Sequence, residues 1–500
     1  MTLNTSIICS LARSVIIASI AVWPVVMLGA GIEASRTIRA RRWRFLLAVF
    51  PYFLPELLIG FNYRLTATLL TAGTSPLTAA ICTEGLYGLL MLSRGMAVGV
   101  CLSMLLPRGN ASAAALHAWV LLRHTMAAAT WWAGWWRLKF FGAWQVPLVA
   151  WSVMALVTFQ EFETAALLQI DRAPISWSVW LFDAHAGGLP LWDSLRLMVG
   201  PVLCELVILG PALYMLLLRP VADENGPVSN DGLNARSSAW KSVRYAALVT
   251  PGIVLFVLWP LMHNFLPIVR GGMLLLNKAT LRQSLVEILT STGFAVGATV
   301  MSLGIALRIC AAFQSSPRAF GSRVFWISLL LPGLLGSLVL SLALLAMFQL
   351  PGLRGLYDTW LPLLLGQTMA VLPFAVAVGL LLMRVSDPAA LHTAKLLAVS
   401  QESRIRRQMA TLRWRLTTGR WLLGGLIVAH RCFWDVTVAS ILRPVQVEPV
   451  VTRLYNEMHY GRTEALLSLA ILAALTPLAI AAAAMLLSRL ATICTSRSSN

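Results

Sequence analysis

The feature that most constrains this chain is the recurrence, from one end to the other, of apolar stretches long enough to cross a bilayer as helices. Only a segment that satisfies its own backbone hydrogen bonds can do so. Windows near 9–31, 45–62, 86–107, 143–168 and 194–218 have this character, as do 245–263, 285–308, 325–349, 357–384, 421–442 and 463–488. They predict an all-α integral membrane protein with about 11 transmembrane helices, or roughly 10 to 12 depending on the apolar stretch 111–136. Charged residues make up 12% of the chain and hydrophobic ones 58%, too few charges to cover a soluble surface of this size.

The formal charge of +19 comes from 39 basic and 20 acidic residues. In a soluble protein it would point to nucleic acid, but cytoplasmic loops of membrane proteins collect Lys and Arg, so no nucleic-acid partner is expected. Arg36, Arg39, Arg41, Arg42 and Arg44 follow the first span, and Arg236, Lys241 and Arg244 precede the sixth. Arg308, Arg318 and Arg323 separate the seventh and eighth, and Lys395, Arg404, Arg406, Arg407, Arg413, Arg415 and Arg420 precede the tenth. Placing all four clusters in the cytoplasm puts the N-terminus outside and the C-terminus inside a cell inner (plasma) membrane, with the first apolar stretch retained as a helix. The seven cysteines lack metal-ligand or disulfide-framework spacing.

A polar stretch rich in Gly, Pro, Asn and Ser at 221–243 reads as a cytoplasmic linker between a first membrane repeat, 1–220, and a second, 244–500. Leu54-Pro55-Glu56-Leu57-Leu58 recurs as Leu331-Pro332-Gly333-Leu334-Leu335. Ala114-Ala115-Leu116-His117 with Leu121-Leu122 recurs as Ala389-Ala390-Leu391-His392 with Leu396-Leu397. Phe159, Glu161, Ala165, Leu168, His185 and Gly187 recur as Phe433, Asp435, Ala439, Leu442, His459 and Gly461. Three matches in one order at nearly one offset indicate tandem duplication. An even number of spans separates equivalent loops, so both copies share one orientation, unlike the inverted repeats of many secondary transporters. Two parallel halves present two equivalent loops to the cytoplasm and suit a two-fold symmetric partner.

In the second of those loops, Asp387 is a good helix cap with Pro388 at the first helical position. Leu391, Ala394, Leu397 and Ala398 then form a narrow apolar stripe flanked by cations. One reading is an amphipathic helix on the lipid surface; the other is a coupling helix that docks in a groove of a cytoplasmic subunit.

At these residues the chain resembles the permease subunit of ATP-binding-cassette importers, in the fused two-repeat form that serves ferric iron or thiamine. That family carries in each half a cytoplasmic Glu-Ala-Ala loop with a Gly and then a Leu-Pro beyond it. Here His392 takes the Glu place, Thr393-Ala394 the Ala pair, Ala398 the Gly place and Ala410-Thr411 the Leu-Pro place. The stretch from Phe433 to Pro444, then Val451 to Tyr455 and Gly461, is similar to the family's region after the loop, as are Leu331-Pro332 and Leu372-Pro373 within helices. The resemblance covers about 285–488, and the first half through its internal similarity. The Glu, Gly and Pro of the loop signature are replaced. In the first half a rival register, Gly134 followed by Pro147, competes with the one at 112–137 given by the repeat.

The resemblance implies a type I importer permease fold with two ATPase subunits and an extracytoplasmic solute-binding protein as partners, beside the lipid bilayer. The coupling positions are then Ala114, Ala115, Leu116, His117, Leu121 and Leu122 in the first half. In the second they are Ala389, Ala390, Leu391, His392, Thr393, Ala394, Leu397 and Ala398. No phosphate-binding loop of the GxxxxGK[ST] type is present, so no cofactor is expected on this chain and ATP belongs to a partner. No catalytic motif and no metal-ligand spacing of His or Cys stands out, so no enzyme activity and no metal site are expected.

Charges inside spans are costly and point to function by default. Glu161 and its repeat partner Asp435, then Glu56 and Glu205, are the candidates to face a pathway; Arg431 lies one helical turn from Asp435. Trp131, Trp132, Trp135, Trp136 and Trp144 fit an interfacial aromatic belt. Two other classes stay open: a membrane transferase acting on a lipid-linked substrate, for which Glu84 is the main outer-loop candidate, and an ion-coupled transporter.

Overall fold

The computed structural model describes residues 2–35, 37–106, 113–140, 144–168, 175–218, 235–315, 320–385, 418–460 and 466–477, with isolated positions between and after them. Among these the chain is helical and contains no strand. Six helices are long and apolar enough to cross a membrane, or up to 10 if each bent pair is one span. The protein is therefore a multi-pass α-helical membrane protein; its long and bent helices fall in the first ten apolar windows, while the described part of the last, Leu466–Pro477, is a shorter apolar helix.

The chain separates into two compact units, Met1–Asn264 and Phe265–Asn500. In the first, α1 is Leu3–Glu33, α2 Ile38–Phe53, α3 Glu56–Thr71 and α4 Pro76–Leu105. Two short helices follow, α5 Ala113–Leu121 and α6 Ala128–Phe140, then α7 Gln145–Gln160, α8 Glu163–Leu168, α9 Trp177–Ala186 and α10 Leu191–Leu218. A helix that includes one π-turn, Val254–Leu258, joins α11, Ala235–Ile253, to α12, Trp259–Leu274. The division falls after Asn264, beyond the polar linker, because α11 belongs with the first unit. Tyr245 donates to the Arg44 carbonyl at 2.5 Å, Arg44 donates to Ser242 at 3.0 Å, and Tyr63 donates to the Leu255 carbonyl at 2.6 Å. Gly31 is where the Tyr245 ring approaches: a Cβ there would lie 2.8 Å from the Tyr245 Cβ.

In the second unit, α13 is Lys278–Ser315, α14 Phe320–Leu334, α15 Ser337–Phe348 and α16 Leu361–Val385. Then come α17, Thr418–Phe433, α18, Val436–Leu442, and α19, Val450–Tyr460, followed by α20, Leu466–Pro477. The order of long, broken and short elements thus recurs, and so does the packing. In the first unit α1 lies beside α4 and α7, α4 against α7, and α3 against α8. In the second α13 lies beside α16 and α17, α16 against α17, and α15 against α18.

Windows that read as single spans in the sequence are interrupted. The α2–α3 pair bends by 73° at Leu54-Pro55, the α14–α15 pair by 99° at Leu335-Gly336, and the α17–α18 pair by 57° at Trp434-Asp435. The first two bends have different chemical causes. Pro55 has no N–H to continue the ladder and forces Leu54 into extended backbone, with ψ of 135°. Gly336 turns the chain with φ of +84°, a conformation that a side chain strongly disfavours.

The apolar stretch 111–136 resolves into α5, a 3₁₀ turn at Leu122–His124 and the start of α6. Trp131 donates its indole N–H to the Trp119 carbonyl at 2.9 Å, and Trp119 returns one to the Trp131 carbonyl at 3.4 Å. Arg123 sits 5.6 Å over the Trp131 ring and Lys139 4.8 Å over that of Trp135. Gly134 admits the Trp119 ring, which a Cβ would meet at 2.1 Å. This hairpin is fastened by its own indoles, while Trp132, Trp136 and Trp144 remain exposed.

Candidate functional site

Breaking a helix inside a membrane frees N–H and C=O groups at both new ends, and each costs several kcal/mol if hydrocarbon is its only neighbour. The residues that answer those groups define the best-built polar region of each unit.

In the first unit the break between α7 and α8 is capped by Glu161. Its carboxylate accepts from the backbone N–H of Thr164 at 2.5 Å and of Ala165 at 3.0 Å, and from the Tyr87 phenol at 2.8 Å. Two positions on, Glu163 reaches across to accept from the N–H of Leu57 at 3.1 Å, in the first turn of α3. The start of α3 is thus served from α8. Close backbone approach makes this possible: a Cβ on Gly60 would meet Thr164 Cα at 3.1 Å. Glu56, at the first position of α3, is paired with Arg94 of α4, and both are buried. The end of α7 is closed by α9. Trp177 donates its indole N–H to the Phe159 carbonyl at 2.7 Å and Ser178 its hydroxyl to the Glu161 carbonyl at 2.8 Å. The α9 N-terminus in turn donates from Trp177 N to Ser10 of α1 at 3.2 Å.

The second unit repeats the plan with fewer charges. Asp435 caps α18, accepting from Val438 N at 3.1 Å, and its other oxygen accepts from Ser337, at the start of α15, at 3.0 Å. The break of one span therefore meets the break of another in both units. Val450 N at the start of α19 donates to Ser291 of α13 at 2.7 Å, the counterpart of the Trp177–Ser10 contact. Gly366 and Gly333 allow the close packing: Cβ atoms there would lie 2.6 Å from Leu442 Cδ1 and 2.2 Å from the Met369 carbonyl oxygen. Arg453 of α19 is paired with Glu287 of α13, with Glu457 3.9 Å away.

Of the residues singled out in the sequence, Glu56 and Glu161 come together at one pair of breaks, and Asp435 lies at the other, where it interacts electrostatically with Arg431. Glu205 is fully buried on α10 beside Gln160. Ala114, Ala115 and Leu116 lie in α5, and His117, Leu121 and Leu122 after them are exposed. In the second loop Thr393 is helical and exposed, whereas Ala389, Ala390, Leu391, His392, Ala394, Leu397 and Ala398 lie outside the described residues.

Sequence reading passed over Glu163 and Arg94. Arg94 carries a signal of its own, since a charge within the apolar run Pro76–Leu105 demands a partner. Glu163 carries little, because an acidic residue in a first turn is common. Among the described residues no group of three or more His, Cys, Asp or Glu side chains could hold a metal ion. No protein family, no curated protein and no solved structure matches this chain.

Proposed function

We propose that this protein is the transmembrane permease subunit of an ATP-binding-cassette importer, built of two parallel tandem repeats in the inner membrane. It moves a small solute by alternating access. Ferric iron is the first candidate cargo and thiamine the second, both from the family resemblance of residues 285–488. An extracytoplasmic binding protein delivers the solute, and two separate ATPase subunits hold and hydrolyse ATP.

The observation that carries this reading is where the candidate coupling segments fall. Each lies between corresponding helices, α4 and α7 in one unit and α16 and α17 in the other, and these pairs pack on the first helix of their unit. The first segment offers a surface its unit leaves open: Val120, Leu121, Leu122 and Met126 are all exposed, beside Arg123 and His124. Exposed apolar residues among cations suit a helix seated in a groove of a soluble subunit. Closure of two ATPases on each other would draw the two segments together and rock the helices they join.

The test is purification of the intact chain in mild detergent with its natural partners, together with uptake assays. An ATPase bearing a phosphate-binding loop should co-elute, and Leu121→Asp with Leu122→Asp, or Leu391→Asp with Leu397→Asp, should release it and abolish uptake. No co-eluting ATPase, with uptake unchanged in both variants, would overturn the reading.

A further inference from the structure

Helices α1 and α4 run parallel, as Arg13 meets Glu84 and Val25 meets Gly99 further along both. They press together at Gly99, where a Cβ would lie 2.6 Å from Val25 Cγ2, but they splay towards their N-terminal ends. There Gly85 and Gly88 have nothing within 4 Å of where a Cβ would be. The result is an open cavity of about 560 Å³ within the first unit. That volume lies in the ~300–1,000 Å³ range of small-molecule sites.

The walls of the cavity are divided. Ile16, Ile17, Ile20, Leu89 and Leu92 make one end apolar. At the other end Arg13 and Glu84 form an ion pair at 3.0 Å, with one Arg13–Glu84 hydrogen bond at 3.0 Å and an Arg13–Ser176 hydrogen bond at 2.9 Å. Each terminal guanidinium nitrogen bears a second hydrogen beyond these contacts. Ile16 and Ile20 are 57% and 54% exposed, so the groove has an open apolar side within the span Leu3–Glu33. From Glu84 to Leu92 the helix rises ~12 Å, most of the ~15 Å hydrocarbon depth of one leaflet.

The geometry points to a binding groove for one zwitterionic glycerophospholipid, its acyl chain between α1 and α4 and its headgroup on the Arg13–Glu84 pair. Charge complementarity selects the headgroup. The guanidinium receives the phosphate, and the carboxylate receives an ammonium such as that of ethanolamine. A lipid carrying only negative charge would satisfy the guanidinium but bring no cation to the carboxylate, so its headgroup would match one half of the pair. This inference requires that the chain span a membrane and is independent of the importer reading.

The test uses the full chain in nanodiscs with photoactivatable phosphatidylethanolamine or phosphatidylglycerol as probe, followed by peptide mapping. Phosphatidylethanolamine should label peptides covering Cys9–Ile20 and Glu84–Leu92 in preference to phosphatidylglycerol. Gly88→Leu fills open space on a helix and should leave the unfolding midpoint unchanged or raised while cutting that labelling several-fold. Glu84→Gln should erase the preference between the two lipids. Labelling that maps elsewhere, survives Gly88→Leu undiminished, or shows no headgroup preference in the unaltered protein would overturn the proposal.

Discussion

Tyr87 donates its phenolic hydrogen to Glu161 at 2.8 Å, tying α4 to the cap of a helix broken inside the first unit. Removing each partner should therefore have unequal effects. Tyr87→Phe leaves Glu161 its two backbone donors, whereas Glu161→Ala strands those donors and the phenol together. Buried groups left without an acceptor cost ~1–3 kcal/mol each. Unfolding midpoints in detergent should fall further for Glu161→Ala than for Tyr87→Phe, and the reverse order would deny Glu161 its capping role.

Asp435 should tolerate its amide. Asn keeps an oxygen for the Val438 N–H and is as good a helix cap, so Asp435→Asn should be mild. Asp435→Ala should cost ~0.5–2 kcal/mol for the cap, before the loss of Ser337. Equal effects of Asn and Ala, read from the same midpoints, would show that the charge and not the cap matters.

The Glu56–Arg94 pair is buried, so removing one side takes from the other its paired counter-charge. Arg94→Leu is expected to cost ~3–5 kcal/mol, and adding Glu56→Gln should recover much of it. The comparison is the yield of folded protein and the midpoint for the single and double variants. A double variant no better than the single would argue against direct pairing.

Two glycines make opposite predictions. Gly333→Ala drives a Cβ into the Met369 carbonyl and should destabilise strongly, whereas Gly304, with open space around it, should accept Ala at no cost or with a small gain. Thermal midpoints of the two variants settle the contrast.

His185, at the end of α9, lies 3.2 Å from Ser194, and burial lowers its pKa from the ordinary 6.5. The neutral imidazole is therefore the form the fold favours. Its contribution is full above about 6.5 and is lost as pH falls through the depressed folded value, because the unfolded chain takes up the proton first. Protection of α9 amides against hydrogen exchange, measured relative to their intrinsic rates, should fall on acidification, and His185→Gln should flatten that dependence.

The spans were legible in the sequence because lipid imposes length and hydropathy on every helix that crosses it. The breaks were not. The 143–168 and 421–442 windows read as continuous because Glu161 and Asp435 are single polar residues in apolar runs, a pattern shared by a pathway-facing charge and by a cap. Only the chain direction and the donors three and four residues on, Thr164 and Ala165 for Glu161, tell them apart. Pro55 gave a hint of its bend, but Gly336 produces a larger one, and glycine occurs throughout the helices without bending them. The Glu163–Leu57 contact joins residues far apart in sequence and left no local trace.

Because Glu163 serves the start of α3 and Asp435 holds the start of α15, neither short helix of a pair can swing alone without baring a polar group to oil. Each pair is thus tied into one wedge, and the residues where a helix could still flex lie before the bends, at Pro51 in α2 and Pro332 in α14. A helical membrane protein assembled this way would move in blocks rather than helix by helix.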